Sequence, residues 1–375
     1  YGDHRDLHLS IRRQRQMCIR DRFKSAGARY VVLTTKHHDG FLLWPSATPN
    51  PFHTNYQAAR DLVGELTDAV RSRGLRMGLY YSGGLDWTFN PYVIRDMPDL
   101  FRAVPQSAAY VAYADAHWYE LIERYTPSVL WNDIAYPRAA DLPALVARYY
   151  NSISEGIIND RFLQASPDQQ GQSAEQMLSE GALPRPQHYD FRTPEYAIYT
   201  EIREEKWESC RGLGYSFGYN RNETAETMLS ADELIRSFVD LVSKNGNLLI
   251  NVGPTGDGSI PQEQAERLQA LGAWLDRNGE AIYATRPWST DILRSMDGIA
   301  LRFTQRDQRL YAMLLGTPAG TEIVIDGLSS PAGEVRLLGH EQALEWEHDG
   351  QRLTIHLSAP LPPAPAHALS LPLPG

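Results

Sequence analysis

Three features of the chain predict an α/β fold in which a (β/α) barrel is followed by an all-β sandwich. From Phe23 onward, short apolar runs of strand length alternate with amphipathic helical segments, the pattern of parallel strands joined by right-handed crossovers. Polar, chemically able residues stand just after several of those runs: His37, His38 and Asp39; Ser82; Asp133; Asp160 and Arg161; Asn251. In a closed barrel such positions converge on the C-terminal rim, where that architecture builds its active sites. After about residue 285 the texture changes to short strands separated by Gly, Pro and Asp, which reads as an antiparallel sandwich. An open doubly wound sheet is the competing arrangement. No Gly-rich phosphate turn follows the first strand, which counts against a dinucleotide fold.

The elements follow in order. Tyr30 to Thr35 is a β-branched run. Residues 59–73 place Leu62, Val63, Leu66, Ala69 and Val70 on one helical stripe, and Gly74 follows as a stop. Leu75 to Tyr81 is the next strand. Residues 108–125 align Val111, Ala114, Trp118, Leu121, Ile122 and Tyr125. Ser128–Trp131 is a strand, Ala139–Ser152 a helix and Gly156–Asn159 a strand. Residues 163–187 are Gln-rich and aperiodic, a candidate lid or specificity loop. Ser230 and Glu233 form a capping box ahead of Leu234, Ile235, Phe238, Leu241 and Val242. Gly246 stops that helix, Asn247–Val252 is a strand, and residues 262–278 form one more helix. The sandwich strands are Ile299–Phe303, Leu310–Leu315, Glu322–Ile325, Glu334–Leu338, Leu353–Leu357 and one more after the stiff Pro360–Pro365.

Composition narrows the function. With 375 residues, 42% hydrophobic and 22% charged, the chain suits a catalytic domain plus an accessory module, and disorder is not expected. A net charge of −10 argues against nucleic acid or an anionic membrane as partner, and no apolar run is long enough for a membrane span. Cys18 and Cys210 form neither a disulfide framework nor a metal spacing. Residues 1–22 differ from the rest: five arginines fall between Arg12 and Arg22, with no helical or alternating period. A basic arm, a targeting peptide without its apolar core and foreign sequence fused at the terminus are the readings. The last is preferred, because residues 13–22 resemble a translated sequencing adapter. The expected division is a non-native or disordered extension at 1–22, a catalytic barrel at 23–284 and a sandwich at 285–375. The cellular compartment and a homo-oligomeric state are left open.

Several clusters could carry chemistry. Lys36-His-His-Asp-Gly-Phe41 ends a strand. Adjacent histidines on an extended chain point to opposite sides, so joint metal ligation is awkward. Binding sugar hydroxyls suits imidazole better, because the ring can donate to one hydroxyl and accept from another. Structural packing of one histidine is the plainer alternative. Asp133 ends the run Leu130-Trp-Asn-Asp; a carboxylate there needs a partner or a task, although Asp also serves commonly as a cap. Arg161, always cationic, would keep a neighbouring carboxylate ionised. Glycoside hydrolysis needs a second carboxyl group, and composition alone does not separate Glu195 from Glu201, Glu204, Glu205 or Glu208. Residues 216–220 and 251–258 are Gly-containing loops, with Phe217 a possible apolar wall.

Taken together, KHHDGF (36–41), GLYYSGGLDW (78–87), LWNDIAYP (130–137), INDR (158–161), DFRTPEY (190–196), KWE with RGLGYSFGYNRNE (206–223) and NLLINVGPTGDGSIP (247–261) resemble family 29 glycoside hydrolases, the α-L-fucosidases. The resemblance covers about residues 23–284 and implies a TIM-like (β/α)8 barrel with a β-sandwich, acting on fucosylated oligosaccharides or glycoconjugates by a retaining mechanism without cofactor or metal. It implies Asp133 as nucleophile and Glu195 as acid/base. It also implies His37, His38, Tyr80, Trp44, Arg161 and Phe217 as sugar-contacting or site residues. The family begins with two further strands carrying another sugar-binding His and a Glu-Trp pair, for which residues 1–22 offer no counterpart. The expected barrel is therefore incomplete at the N-terminus. A metal-dependent hydrolase using His37, His38 and Asp133, and a fucose-binding lectin-like protein without turnover, are the rival readings.

Overall fold

The computed structural model describes residues 21–164, 186–288 and 298–373. The Arg-rich stretch through residue 20, and residues 165–185 of the expected lid, lie outside the described residues. The chain divides into two compact units: residues 28–193 with the residues before 25, and residues 194–375 with 25–27.

In the first unit a parallel sheet takes its strands in chain order: β1 (Tyr30–Lys36), β2 (Arg76–Tyr81), β3 (Val129–Asn132) and β4 (Ile157–Ile158). The crossovers contain α1 (Leu62–Arg71), α2 (Met97–Arg102), α3 (Ala108–Tyr125) and α4 (Leu142–Ser152). The helices begin where a side chain satisfies an otherwise free backbone N–H. Asp61 accepts from Gly64 N at 2.9 Å, Ser107 from Tyr110 N at 3.2 Å and Asp141 from Ala144 N at 3.1 Å. The apolar stripe of α3 buries Tyr110, Ala114, Trp118, Leu121 and Ile122, in one core with Met77, Leu79, Tyr81 and Leu130 of the strands. Each such large side chain contributes about 1.5–3 kcal/mol on full burial.

Register decides what this sheet presents. Lys36 pairs with Tyr81, Tyr81 with Asn132, and Leu130 with Ile158. The strands thus end almost level, and the residues that follow them start from one edge. Between Thr34 and Lys36 the β1–β2 register shifts. Such an irregularity bends a strand end and re-aims the side chains beyond it.

In the second unit β5 (Trp207–Gly212) and β6 (Gly246–Asn251) are parallel and joined through α5 (Ala231–Val242). The expected capping box is present: Ser230 Oγ accepts from Glu233 N at 3.2 Å, and Glu233 Oε2 accepts from Ser230 N at 2.8 Å. After α6 (Gln262–Asn278) come β7 (Arg286–Pro287), β8 (Leu301–Arg306), β9 (Arg309–Leu314), β10 (Glu322–Asp326), β11 (Val335–Leu337), β12 (Ala343–His348), β13 (Arg352–His356) and β14 (His367–Pro372). They form an antiparallel sheet of order β10-β13-β12-β11-β14-β9-β8-β7. Ala343 and Leu344 of β12 pair with β11, and Glu345–His348 pair with β13, so this strand passes from one layer to the other. The two layers enclose Phe303, Leu310, Leu314, Ile323, Ile325, Leu353, Ile355 and Leu369. On β9, Tyr311 and Met313 instead face Leu271, Trp274 and Leu275 of α6. A strand covered on both faces reads as an unbroken apolar run, which is why Leu310–Leu314 lacks alternation. Parallel strands joined by helices, followed by an antiparallel sandwich, are thus the elements expected. Among the described residues, no helix is long and apolar enough to cross a membrane.

Candidate active site

Asp133 follows β3 and is 7% exposed. Its Oδ1 accepts from Arg161 Nη1 at 2.7 Å and from Ile134 N at 2.8 Å; its Oδ2 accepts from the Tyr80 hydroxyl at 2.6 Å. Burial pushes the carboxyl up, but the Arg161 charge and the Tyr80 hydrogen bond outweigh it. Asp133 is held below the usual carboxylate value and stays ionised. Ala135 N donates to Asp133 O at 2.9 Å across Ile134, which takes φ +68°. A β-branched residue in that region carries strain of about 1–3 kcal/mol, and here it fixes the turn that displays the carboxylate.

Arg161 is itself held on three sides. Its Nε donates to Thr193 Oγ1 at 2.9 Å, its Nη2 to Thr193 O at 2.8 Å, and its guanidinium lies 4.6 Å from the Trp131 ring centre. Thr193 is anchored by Asp160, whose Oδ1 accepts from Thr193 N at 3.0 Å and from Thr193 Oγ1 at 2.7 Å. A planar cation gripped along its fork and stacked on an indole leaves one direction for its remaining donor, toward Asp133.

The two histidines do not point apart. β1 ends at Lys36, so His37 and His38 lie in a turn closed by Gly40 N donating to His37 O at 3.0 Å. Their rings are 3.9 Å apart, and His37 stacks on Tyr80 at 5.9 Å. The rule for extended chains fails because the chain is no longer extended there. Gly40 needs to be glycine: it takes φ +85°, and a Cβ would stand 2.8 Å from Asp86 Oδ1. His38 Nε2 lies 4.0 Å from Asp133 Oδ2. Burial lowers the pKa of His37. Burial and the neighbouring His37 push His38 down to about 4, so His38 is neutral at pH 7.

The same charge state is found in the core. His117 Nε2–H donates to Thr48 O at 2.8 Å while Nδ1 accepts from the Tyr81 hydroxyl at 2.9 Å, and burial pushes its pKa down to about 4. Both rings have folded values below the ordinary 6.5. The unfolded chain therefore takes up protons that the folded chain refuses. Stability is full above pH 6.5 and falls as pH drops toward 4. The urea midpoint at pH 5 is expected below that at pH 7 by the equivalent of about 1–2 kcal/mol per ring. A His117→Gln variant should show a shallower dependence over the same window.

Glu195 and Phe217 belong to the second unit. Glu195 is exposed and bridges to Cys210 of β5, with Tyr196 N donating to Cys210 O at 3.1 Å and Cys210 N to Pro194 O at 3.0 Å. Tyr196 has φ +50°, so each candidate carboxylate is followed by a residue in left-handed conformation. Phe217 is 44% exposed and meets the Tyr196 ring edge-on at 5.4 Å. An aromatic face left open in this way is suited to an apolar sugar face.

A family model described as alpha-L-fucosidase matches residues 18–280, and one for the alpha-L-fucosidase C-terminal domain matches residues 298–371. The chain is 34% identical over 363 residues to the tissue alpha-L-fucosidase of Bos taurus, covering 92% of this chain and 70% of that one. It is likewise 34% identical over 362 residues to the human plasma alpha-L-fucosidase, covering 90% and 71%. The chain belongs to the α-L-fucosidase family. Its structure is also similar to that of the Thermotoga maritima alpha-fucosidase solved with a mechanism-based inhibitor, at 41% identity and a TM-score of 0.82, covering 95% of this chain and 78% of that one.

Within this fucosidase chain, Asp133, Arg161, Tyr80, His37 and His38 come together, and Phe217 stands beside Tyr196 in the second unit. Trp44 does not join them. It is fully enclosed, packs edge-on against His117 at 5.1 Å and donates to Glu120 Oε2 at 2.9 Å. A side chain with no accessible surface cannot touch a sugar, so Trp44 is a core residue. Sequence reasoning missed Trp131 and Thr193, which orient Arg161. The strand alternation in Leu130-Trp-Asn offered a signal for Trp131; nothing in the spacing pointed to Thr193. Among the described residues, no three His, Cys, Asp or Glu side chains are grouped to hold a metal ion.

Proposed function

We propose that this chain hydrolyses terminal α-L-fucosyl residues of glycans by retaining double displacement, with Asp133 as nucleophile and Glu195 as acid/base. One observation carries the reading: a buried carboxylate kept ionised by Arg161 and Tyr80, its neutral histidine neighbours supplying hydrogen-bonding groups for hydroxyls. In the first step an Asp133 oxygen bonds to the anomeric carbon. The C1–O bond to the aglycone breaks with its electron pair on oxygen, and that oxygen takes the proton of Glu195. In the second step the Glu195 carboxylate removes a proton from water. The water oxygen bonds to C1 and the Asp133 ester bond breaks, releasing fucose with its configuration kept. This chemistry requires the two carboxyl groups about 5–5.5 Å apart. His37, His38, Tyr80 and Arg161 contribute to the fucose pocket and Phe217 to its apolar wall. The catalytic part is assigned to residues 23–284 and the accessory part to 285–375.

The test is proton NMR of aryl α-L-fucoside hydrolysis. The α-anomer of fucose should appear first; a β-anomer appearing first, or no turnover, would overturn the reading. Glu195→Ala should slow substrates with poor leaving groups by about 10²–10⁴-fold while sparing those with strongly acidic phenols. Equal losses on both classes would remove Glu195 from the acid role.

A further inference from the structure

Ser82 is the first residue after β2. It is completely buried and touches no surface through which substrate could enter. Its Oγ lies 2.8 Å from Leu85 O and 2.6 Å from His38 Nδ1. A serine hydroxyl has one proton, and a backbone carbonyl can only accept. If the proton goes to Leu85 O, the Ser82 oxygen accepts from His38 Nδ1–H and both contacts are hydrogen bonds. If the proton instead goes to His38, two oxygens with only lone pairs face each other at 2.8 Å inside the protein, and the Leu85 contact becomes repulsive. The first wiring satisfies every atom.

We infer that Ser82 is a positioning residue that holds His38 in its Nδ1–H tautomer, so that Nε2 faces the Asp133 side of the site as a bare acceptor for a sugar hydroxyl proton. Simple electrostatics next to a carboxylate would favour the opposite arrangement, with the proton on Nε2. At 4.0 Å from Asp133 Oδ2, however, Nε2 is beyond hydrogen-bond reach, whereas the Ser82 contact is short. Among the described residues no donor reaches Nε2, so the acceptor is left for a ligand. The low basicity of His38 agrees with this, because a ring that stays neutral keeps that lone pair at working pH.

The surroundings of Ser82 are built to keep it still. Its N donates to Lys36 O at 3.0 Å, and Lys36 Nζ donates to Ser82 O at 2.7 Å and to Leu85 O at 3.3 Å. The Leu85 carbonyl that takes the Ser82 proton is therefore also pinned by a buried ammonium. The chain of command runs from Lys36, through the turn 82–85, to the tautomer of a histidine beside the proposed nucleophile. Which nitrogen of a histidine carries the proton is set in general by the partner of the other nitrogen.

The use of the acceptor rests on the fucosidase reading; the tautomer does not. The experiment is long-range ¹H–¹⁵N correlation NMR on substrate-free, ¹⁵N-histidine-labelled protein near pH 7, with His38→Gln identifying the His38 signals by their loss. The expected result is an Nδ1–H ring in the wild type and an Nε2–H ring in Ser82→Ala, together with a drop of about tenfold in kcat/KM on an aryl α-L-fucoside. An Nε2–H ring in the wild type would overturn the inference without any variant needing to fold. An unchanged Nδ1–H ring in Ser82→Ala would overturn it too, as would a switched tautomer with unchanged kcat/KM. Failure of the wild type to turn over the fucoside, with His38 still Nδ1–H, would sink the fucosidase reading and leave the Ser82 assignment standing.

Discussion

Asp133→Gly is expected to lower kcat for aryl α-L-fucosides by on the order of 10⁴-fold or more, with the fold intact. Removing a covalent nucleophile forfeits the split of one difficult step into two, and losses of that order are usual when a nucleophile is deleted. The fold should survive because Arg161 keeps its two bonds to Thr193 and its stack on Trp131 after the carboxylate is gone. The loss alone does not separate a nucleophile from a residue that merely orders the site. Azide does. A small anion entering the vacated space bonds to the anomeric carbon from the side that Asp133 used, so the product is a β-L-fucosyl azide. Its formation at high azide, with a rise in rate, is the expected outcome. A variant that keeps activity near wild type, or one that azide rescues with α product, would take the nucleophile role from Asp133.

The parts of this fold legible in the sequence are those whose burial has a period. The stripe of α3, the capping box of α5 and the run 310–314 each answer to one rule, and each element is found within a residue or two of its expected place. β5 is different. Trp207-Glu-Ser-Cys-Arg-Gly carries Glu208 at 3% and Ser209 at 1% exposure, so its burial is polar and offers no apolar pattern. β12 does carry the period of two proper to a strand, with Glu345 and Glu347 exposed and Leu344 and Trp346 half-buried, but the run is short and acidic, and pairing to two neighbours is what makes it a strand. The site divides along the same line. Asp133, Arg161 and the histidines announce themselves by standing after strands. Trp44 misleads because an aromatic in a rim loop is as useful to the core as to a ligand, and only the burial beneath α3 decides. Ser82 also stands after a strand, but what it and Thr193 do depends on hydroxyl geometry, which no spacing encodes. The histidine pair escapes the extended-chain rule because the register shift at Thr34–Lys36 ends the strand one residue before it applies.

Lys36→Met is expected to cost about 3–5 kcal/mol of folding stability, read as a lowered urea midpoint, because it strips one partner from a buried ion pair. Lys36 Nζ lies 3.2 Å from Asp86 Oδ2 with both side chains fully buried, and 4.5 Å from the centre of the Tyr81 ring. Burial lowers the lysine pKa, while the Asp86 charge and hydrogen bond oppose that shift. Asp86 cannot compensate for the loss of its cation, because its Oδ1 is already taken by Thr88 N at 3.0 Å and Thr88 Oγ1 at 2.6 Å. Methionine fills much the same volume, so the penalty would come from the stranded carboxylate and from the carbonyls of Ser82 and Leu85, not from a cavity. That attribution can be separated from packing. In Lys36→Met/Asp86→Asn the neutral amide still accepts from Thr88 through Oδ1, and at least half of the lost stability should return. A single variant that loses less than about 1 kcal/mol, or a double variant no more stable than the single, would show that the pair does not act as a charge-compensated unit. Because the same ammonium pins the turn that carries Ser82, the single variant should lose activity under conditions where it is still folded. The double variant, which restores charge balance but not those two donors, should recover stability without recovering activity.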